Sequence, residues 1–118
     1  MTAEPPPVTL REEPGGWVLT LPSRLDAPVE DSLVSAVERA LESHARLLVL
    51  DFAGVTYASS AGIGAVVDTV RRAGARGAKV ALASLQDQPR LVIERIGLTA
   101  HARAYDSVQG ALRAEGSL

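Results

Sequence analysis

Residues 57–64 read Tyr-Ala-Ser-Ser-Ala-Gly-Ile-Gly, two adjacent hydroxyls set among small side chains. An apolar run precedes them and a pattern of helical period follows, so the serines stand at the mouth of a helix. Two chemistries suit that place. A serine can cap the helix by accepting from a first-turn amide, for about 1 kcal/mol. It can also accept a phosphoryl group, because the first turn leaves N–H groups unpaired and carries about half a positive charge. Ala61, Gly62 and Gly64 would leave room for a phosphate to reach those amides. Spacing by itself favours the cap, since serine at a helix start is commonplace. Both readings hold together if Ser59 caps and Ser60 is presented outward.

Other chemistry finds little to stand on. Gly62-Ile63-Gly64 is a fragment of a dinucleotide fingerprint, and no Lys-Ser/Thr follows it to complete a phosphate loop. A Gly-x-Ser-x-Gly elbow is missing, so a hydrolase nucleophile has no support. His44 and His101 stand alone in the sequence, unlike the clustered ligands of a metal site, and His101 falls in an expected strand. Arg71, Arg72 and Arg76 read as a solvated basic end of a helix with favourable dipole contacts, less readily as a docking patch for an acidic partner.

The elements that position Ser59 and Ser60 follow from periodicity. Extended runs at 8–13 and 16–21 flank Pro14-Gly15-Gly16, a hairpin signal. Leu33, Val37, Ala40 and Leu41 share one face of a helix over 27–43, started by Asp26 or by Ala27 with Pro28. The apolar run at 47–52 reads as a central strand covered on both faces. Ile63, Val66, Val67 and Val70 line one face of the second helix, which should end near Gly74 and Gly77. A buried strand at 79–84, a short helix at 88–97, a weak strand around 100–105 and a last helix capped at Asp106-Ser107 complete the chain. The order β-β-α-β-α-β-α-β-α predicts a single α/β domain. Its mixed sheet of four to five strands has a hairpin at one edge and about four helices over it.

The gross numbers agree with one small domain. The 118 residues carry 12 basic and 14 acidic side chains, for a net charge of −2, and no cysteine. Disulfides and thiolate metal sites are excluded, and a broad nucleic-acid face is disfavoured. No apolar run approaches the ~20 residues that span a bilayer. The N-terminus lacks the pattern of a secretory signal, and a cytoplasmic location is expected. Prolines 5, 6 and 7 make residues 1–7 an expected extended tail, with the folded domain at 8–115.

The stretch from Leu47 to Ser84, the Arg24-Leu25-Asp26-Ala27 lead-in and the closing Ile96-Gly97-Leu98 segment resemble a STAS domain, the family of bacterial anti-sigma factor antagonists. The resemblance runs from about Val8 to Leu112. The family loop is usually Asp-Ser-Ser-Gly-Leu-Gly. Setting Gly62-Ile63-Gly64 on its last three positions puts Ser60 on the phosphorylated serine, Ala61 on the second serine and Ser59 on the aspartate. By resemblance the protein is a regulatory binding module and not an enzyme. Unphosphorylated, it would bind an anti-sigma factor that is also a serine kinase. Phosphorylation of Ser60 would release it, and a serine phosphatase would reset it. The partner face would hold Ser59, Ser60, Ala61, Gly62, Ile63, Gly64 and Asp26, the last matching a family aspartate at the same sheet edge or else capping the first helix. No cofactor is implied, ATP belonging to the kinase, and no nucleic acid or stable membrane insertion. An alternative within the family is an accessory subunit of a membrane transporter, such as a phospholipid-trafficking ATPase, docking without a phosphorylation cycle. A more distant one is a small nucleotide-binding or hydrolytic α/β domain.

Overall fold

The computed structural model describes residues 7–116, so the expected tail lies, apart from Pro7, outside the described residues. In chain order the elements are β1 (Thr9–Glu13), β2 (Gly16–Thr20), β3 (Arg24–Leu25), α1 (Glu30–Glu42), β4 (Leu47–Asp51), β5 (Tyr57–Ala58), α2 (Ser60–Ala75), β6 (Lys79–Ala83), α3 (Asp87–Arg95), β7 (Arg103–Tyr105) and α4 (Val108–Glu115). The main sheet runs β1-β2-β4-β6-β7. The β1–β2 hairpin is antiparallel and every other pair in that sheet is parallel. This is the single mixed α/β domain with an edge hairpin that the sequence predicts.

Alternation along the central strands divides the core. Leu48 and Leu50 of β4 face a cluster that includes Leu33, Val37 and Leu41 of α1 and Ile63 and Val66 of α2. Leu47 and Val49 face the other way, onto Ala111 and Leu112 of α4. The sheet is thus covered on both faces, which is why β4 is almost wholly apolar. Phe52 and Ile93 are fully buried with the larger cluster.

Four boundaries differ from expectation, each for a local reason. The first helix opens with a separate 3-10 turn over Ala27–Val29 with Pro28 in it, and α1 proper starts at Glu30. Gly74 stays inside α2, and Gly77, with φ of 76°, provides the left-handed turn beyond it. The third helix starts one residue earlier and ends two residues earlier than expected, at 87–95, with Gly97 left-handed (φ 73°) beyond its end. The last strand shrinks to Arg103–Tyr105 because Leu98–Ala100 closes as another 3-10 turn, which leaves His101 outside the strand.

The α4 end of the sheet is tied by one short bond, from the Tyr105 hydroxyl to Glu115 Oε2 at 2.6 Å. That bond, then burial and the charge of Glu115, hold the Tyr105 pKa above its ordinary value, with Arg103 opposing. A group raised in the folded state stabilises fully below its unfolded pKa, about 10 for tyrosine, and loses that contribution as pH rises through the folded value. Urea midpoints should therefore fall more steeply above about pH 10 for the parent protein than for Tyr105→Phe. Parallel pH profiles for the two would show that the bond contributes nothing.

Candidate functional site

Ser59 and Ser60 sit where the C-terminal ends of the strands meet the first turn of α2, held there by a small second sheet. In it β3 pairs in parallel with β5, Arg24 opposite Tyr57 and Leu25 opposite Ala58. The Thr56 and Tyr57 amides donate to Ser23 O at 2.9 and 3.3 Å, and the Ser59 amide donates to Leu25 O at 2.9 Å. Continued by one residue, the same register sets Asp26 beside Ser59.

In a parallel pair alternate residues turn their backbone groups to opposite sides. Tyr57 and Ser59 face β3, so Ala58 faces away and, being buried, needs partners there. The side-chain amide of Gln88 on α3 supplies both. Ala58 N–H donates to Gln88 Oε1 at 2.8 Å, and Gln88 Nε2 donates to Ala58 O at 3.0 Å. Gln88 thus stands in for a third strand immediately before the serines. Gln86 adds a bond from Nε2 to Ala53 O at 2.7 Å. Periodicity gave no sign of either glutamine's role. The only signal available was two amide side chains at the start of a helix whose neighbours are loops.

The two serines divide the expected roles. Ser59 is the cap of α2: Gly62 N–H donates to its Oγ at 3.1 Å, and its own hydroxyl lies 3.4 Å from Leu25 O. Ser60 is exposed, and among the described residues neither its hydroxyl nor the amides of Ser60 and Ala61 have a partner. Ser59→Ala should cost about 1 kcal/mol in chemical denaturation while leaving the fold intact. A variant as stable as the parent would mean that solvent replaces the cap.

Gly62 parts company with expectation, while Gly64 keeps the open space expected of it. A Cβ at Gly62 would fall 2.0 Å from Leu25 O and 2.5 Å from Leu25 C. Gly62 therefore exists so that α2 can lie against β3, and its amide is already taken by Ser59. The amides without a partner among the described residues at the head of α2 are those of Ser60 and Ala61. Gly64 has open space around its Cα, Ala61 is exposed, and Ile63 points into the core. Of the residues expected on one face, Ser60, Ala61 and Gly64 are at the surface, and Gly62 and Ile63 lie beneath them.

Asp26 does not cap with its side chain. Its backbone is extended (φ −142°) at the start of the 3-10 turn, and its carboxylate makes no bond to the turn's amides. It lies instead 3.6 Å from Arg24 Nε, and the Arg24 guanidinium stacks over Tyr57 at 4.7 Å from the ring centroid. Arg24, Asp26 and the exposed Tyr57 form a polar and aromatic rim next to the serines. Along α2, Arg72 pairs with Asp68 at 2.6 Å and Glu38 at 3.0 Å, which hold its pKa up, the hydrogen bond to Asp68 first. Those pairs make the face between α1 and α2 a charge-laced surface, as expected for the basic end of the helix.

Among the described residues no group of three or more His, Asp and Glu side chains could hold a metal ion, and no helix is long and apolar enough to cross a membrane.

No curated protein matches the chain by sequence. Solved structures do match its fold. An anti-sigma factor antagonist from Mycobacterium paratuberculosis superposes with a TM-score of 0.80 at 19% identity, over 92% of each chain. The Bacillus cell fate determinant SpoIIAA in its phosphorylated form gives 0.71 at 18% identity, over 91% of this chain and 98% of that one. A sulfate transporter family protein from Wolinella succinogenes gives 0.74 at 19% identity, over 83% of this chain and 82% of the other. At such identities the likeness is one of fold. The family model for the STAS domain matches residues 7–111, and with nearly the whole length so covered the chain belongs to the STAS domain family.

Proposed function

We propose that this protein is an anti-sigma factor antagonist whose contact with its partner is controlled by phosphorylation of Ser60. The observation that supports it most is the division of labour at the head of α2. Ser59 satisfies the helix cap, and Ser60 keeps an exposed hydroxyl that, like the amides of Ser60 and Ala61, has no partner among the described residues. A phosphoserine brings three acceptor oxygens and a charge of about −1.5 to −2, which the amides and the positive end of α2 would hold without deforming the domain. The partner is an anti-sigma factor with serine kinase activity, opposed by a serine phosphatase. It docks on Ser59–Gly64, the outer side of α2 and the Asp26 rim. The protein itself acts by binding and not by catalysis, in the cytoplasm, without nucleic acid or cofactor. Ser59 stands where the family loop has an aspartate, so the kinase must recognise a loop with no carboxylate at that position.

The test is affinity capture from the native cell, followed by incubation of the captured complex with ATP and phosphopeptide mass spectrometry. A kinase that labels Ser60 supports the proposal. Label on Ser59 alone would shift the acceptor by one residue. An unlabelled loop in the presence of a bound kinase would overturn the switch.

The fold shared with a sulfate transporter family protein, together with the serine in the aspartate's place, favours a second reading. In it the same face docks on a membrane transporter with no phosphorylation cycle. Capture of a transporter subunit in place of a kinase distinguishes the two.

A further inference from the structure

The pole of the sheet opposite Ser60 has a different character. Residues Lys79 and Val80 of β6 extend beyond β7, whose first residue pairs only with Ala81. The shortfall opens a cavity of about 680 Å³ between the end of α2 and the 98–101 turn. Its lining includes Val70 and Val80 beside the cations Arg71, Lys79 and Arg103 and the imidazole of His101. A second cavity, of about 310 Å³, is lined by Arg76 and Gly77, which precede Ala78 of the first in the chain, and adds Arg46 and His44.

Together the two cavities take five of the chain's 12 lysines and arginines and both of its histidines. Glu115 is the one carboxylate among the lining residues, and it is already engaged by Lys79 at 3.8 Å and by the Tyr105 hydroxyl. Among the described residues Arg71 and Arg103 have no carboxylate within 4.0 Å. At the opposite pole Asp26 follows β3, Asp51 closes β4, Asp106 follows β7 and Asp87 opens α3, with Arg24 beside them. Arg76 is paired with Glu38 at 3.9 Å, and Glu12 and Glu13 share a third cavity with His44 and Arg46, so the cation excess is local to the first cavity, where Arg71, Lys79 and Arg103 face the single carboxylate of Glu115 and favour an anion. The carbonyl end of α2 works against an anion here, but only within its last turn.

We propose that this notch is a binding site for a phosphate-bearing polyanion, its oxygens held by Arg71, Arg103 and Lys79 over the apolar floor of Val70 and Val80. Arginine forks match phosphate oxygens two at a time, and lysine adds a mobile point charge. A soluble phosphate ester and a lipid phosphate headgroup share this chemistry. The site lies at the end of α2 remote from Ser60, and Arg71 is where it borders the outer side of that helix.

The experiment titrates the whole protein with sodium pyrophosphate by calorimetry at low ionic strength. It also sediments the protein with phosphatidylcholine vesicles with and without phosphatidylglycerol. Both arms are repeated with an Arg71→Glu/Arg103→Glu double variant and with Arg24→Glu from the other pole. Circular dichroism confirms that each variant is folded. Pyrophosphate binding that weakens about tenfold or more in the double variant, weakens with salt and persists in Arg24→Glu supports the site. Binding only to phosphatidylglycerol vesicles, lost in the double variant, supports it with a headgroup as the source. Binding in neither arm, or binding that the double variant leaves unchanged, overturns it.

Discussion

Gly62→Ala should unfold the protein partly or wholly, at a cost of roughly 3 kcal/mol or more, while Gly64→Ala should stabilise it by about 0.5–1 kcal/mol. The contrast is steep for one methyl group moved two positions along the same helix. At Gly62 the new carbon would stand 2.0 Å from the Leu25 carbonyl oxygen and 2.5 Å from its carbon, both backbone atoms. Neither can swing aside like a flexible side chain. Relief requires α2 to lift away from β3, which stretches the Ser59 amide bond to Leu25 O and disturbs the cap on Gly62 N–H. At Gly64 nothing lies within 4 Å of a Cβ, so alanine there only removes the entropic penalty of glycine in a helix. Urea denaturation of both variants checks the pair. A Gly62→Ala midpoint near the parent value would mean that the helix has freedom to slide, and that the close contact with Leu25 does not fix it.

The second large effect is on binding. Ser60→Asp should melt within a degree or so of the parent yet lose about a hundredfold or more in affinity for the captured partner. The side chain is exposed at the positive end of α2, so a carboxylate there is tolerated or mildly favourable to the fold. Across an interface matched to a neutral loop, the same charge loses its water without gaining an assured counter-charge. Ser60→Ala should bind like the parent and accept no phosphate. Surface-based affinity measurements on the three proteins read this directly. Equal affinity of Ser60→Asp and the parent would remove Ser60 from the interface.

Much of this was legible because it is periodic. The buried valines and leucines of β4, the 3-4-7 spacing of α1 and α2, and the turn at Pro14-Gly15 all repeat over enough residues to be read. The serine cap was legible too, from residue type at a helix start. What escaped was short or long-range. β3 and β5 are two residues each, below any detectable alternation, and they pair across more than thirty positions of chain. Gln88 acts through a side-chain amide imitating backbone, which leaves no pattern in its neighbours. Gly62 looked like part of a phosphate cradle because glycine's two uses, freeing an amide and admitting a neighbouring backbone, are indistinguishable until Leu25 is in place. Asp26 leaves two roles open in the sequence, a neighbour of the loop or a cap, and only its extended backbone, which turns the carboxylate toward Arg24, removes the side-chain cap.

The two-residue union of β3 with β5 also sets an order of events in time. Joining Arg24 to Tyr57 closes a long loop of chain for very few ladder bonds, so its entropy is recovered only after α1 and β4 have brought the ends together. It therefore belongs to the last stages of folding and to the first rung of opening. The amides of Tyr57 and Ser59 should exchange with solvent deuterium through openings far cheaper than those that release Leu48 and Leu50. The segment bearing Ser60 can then breathe while the sheet beneath stays shut, a pliable strip on a rigid base.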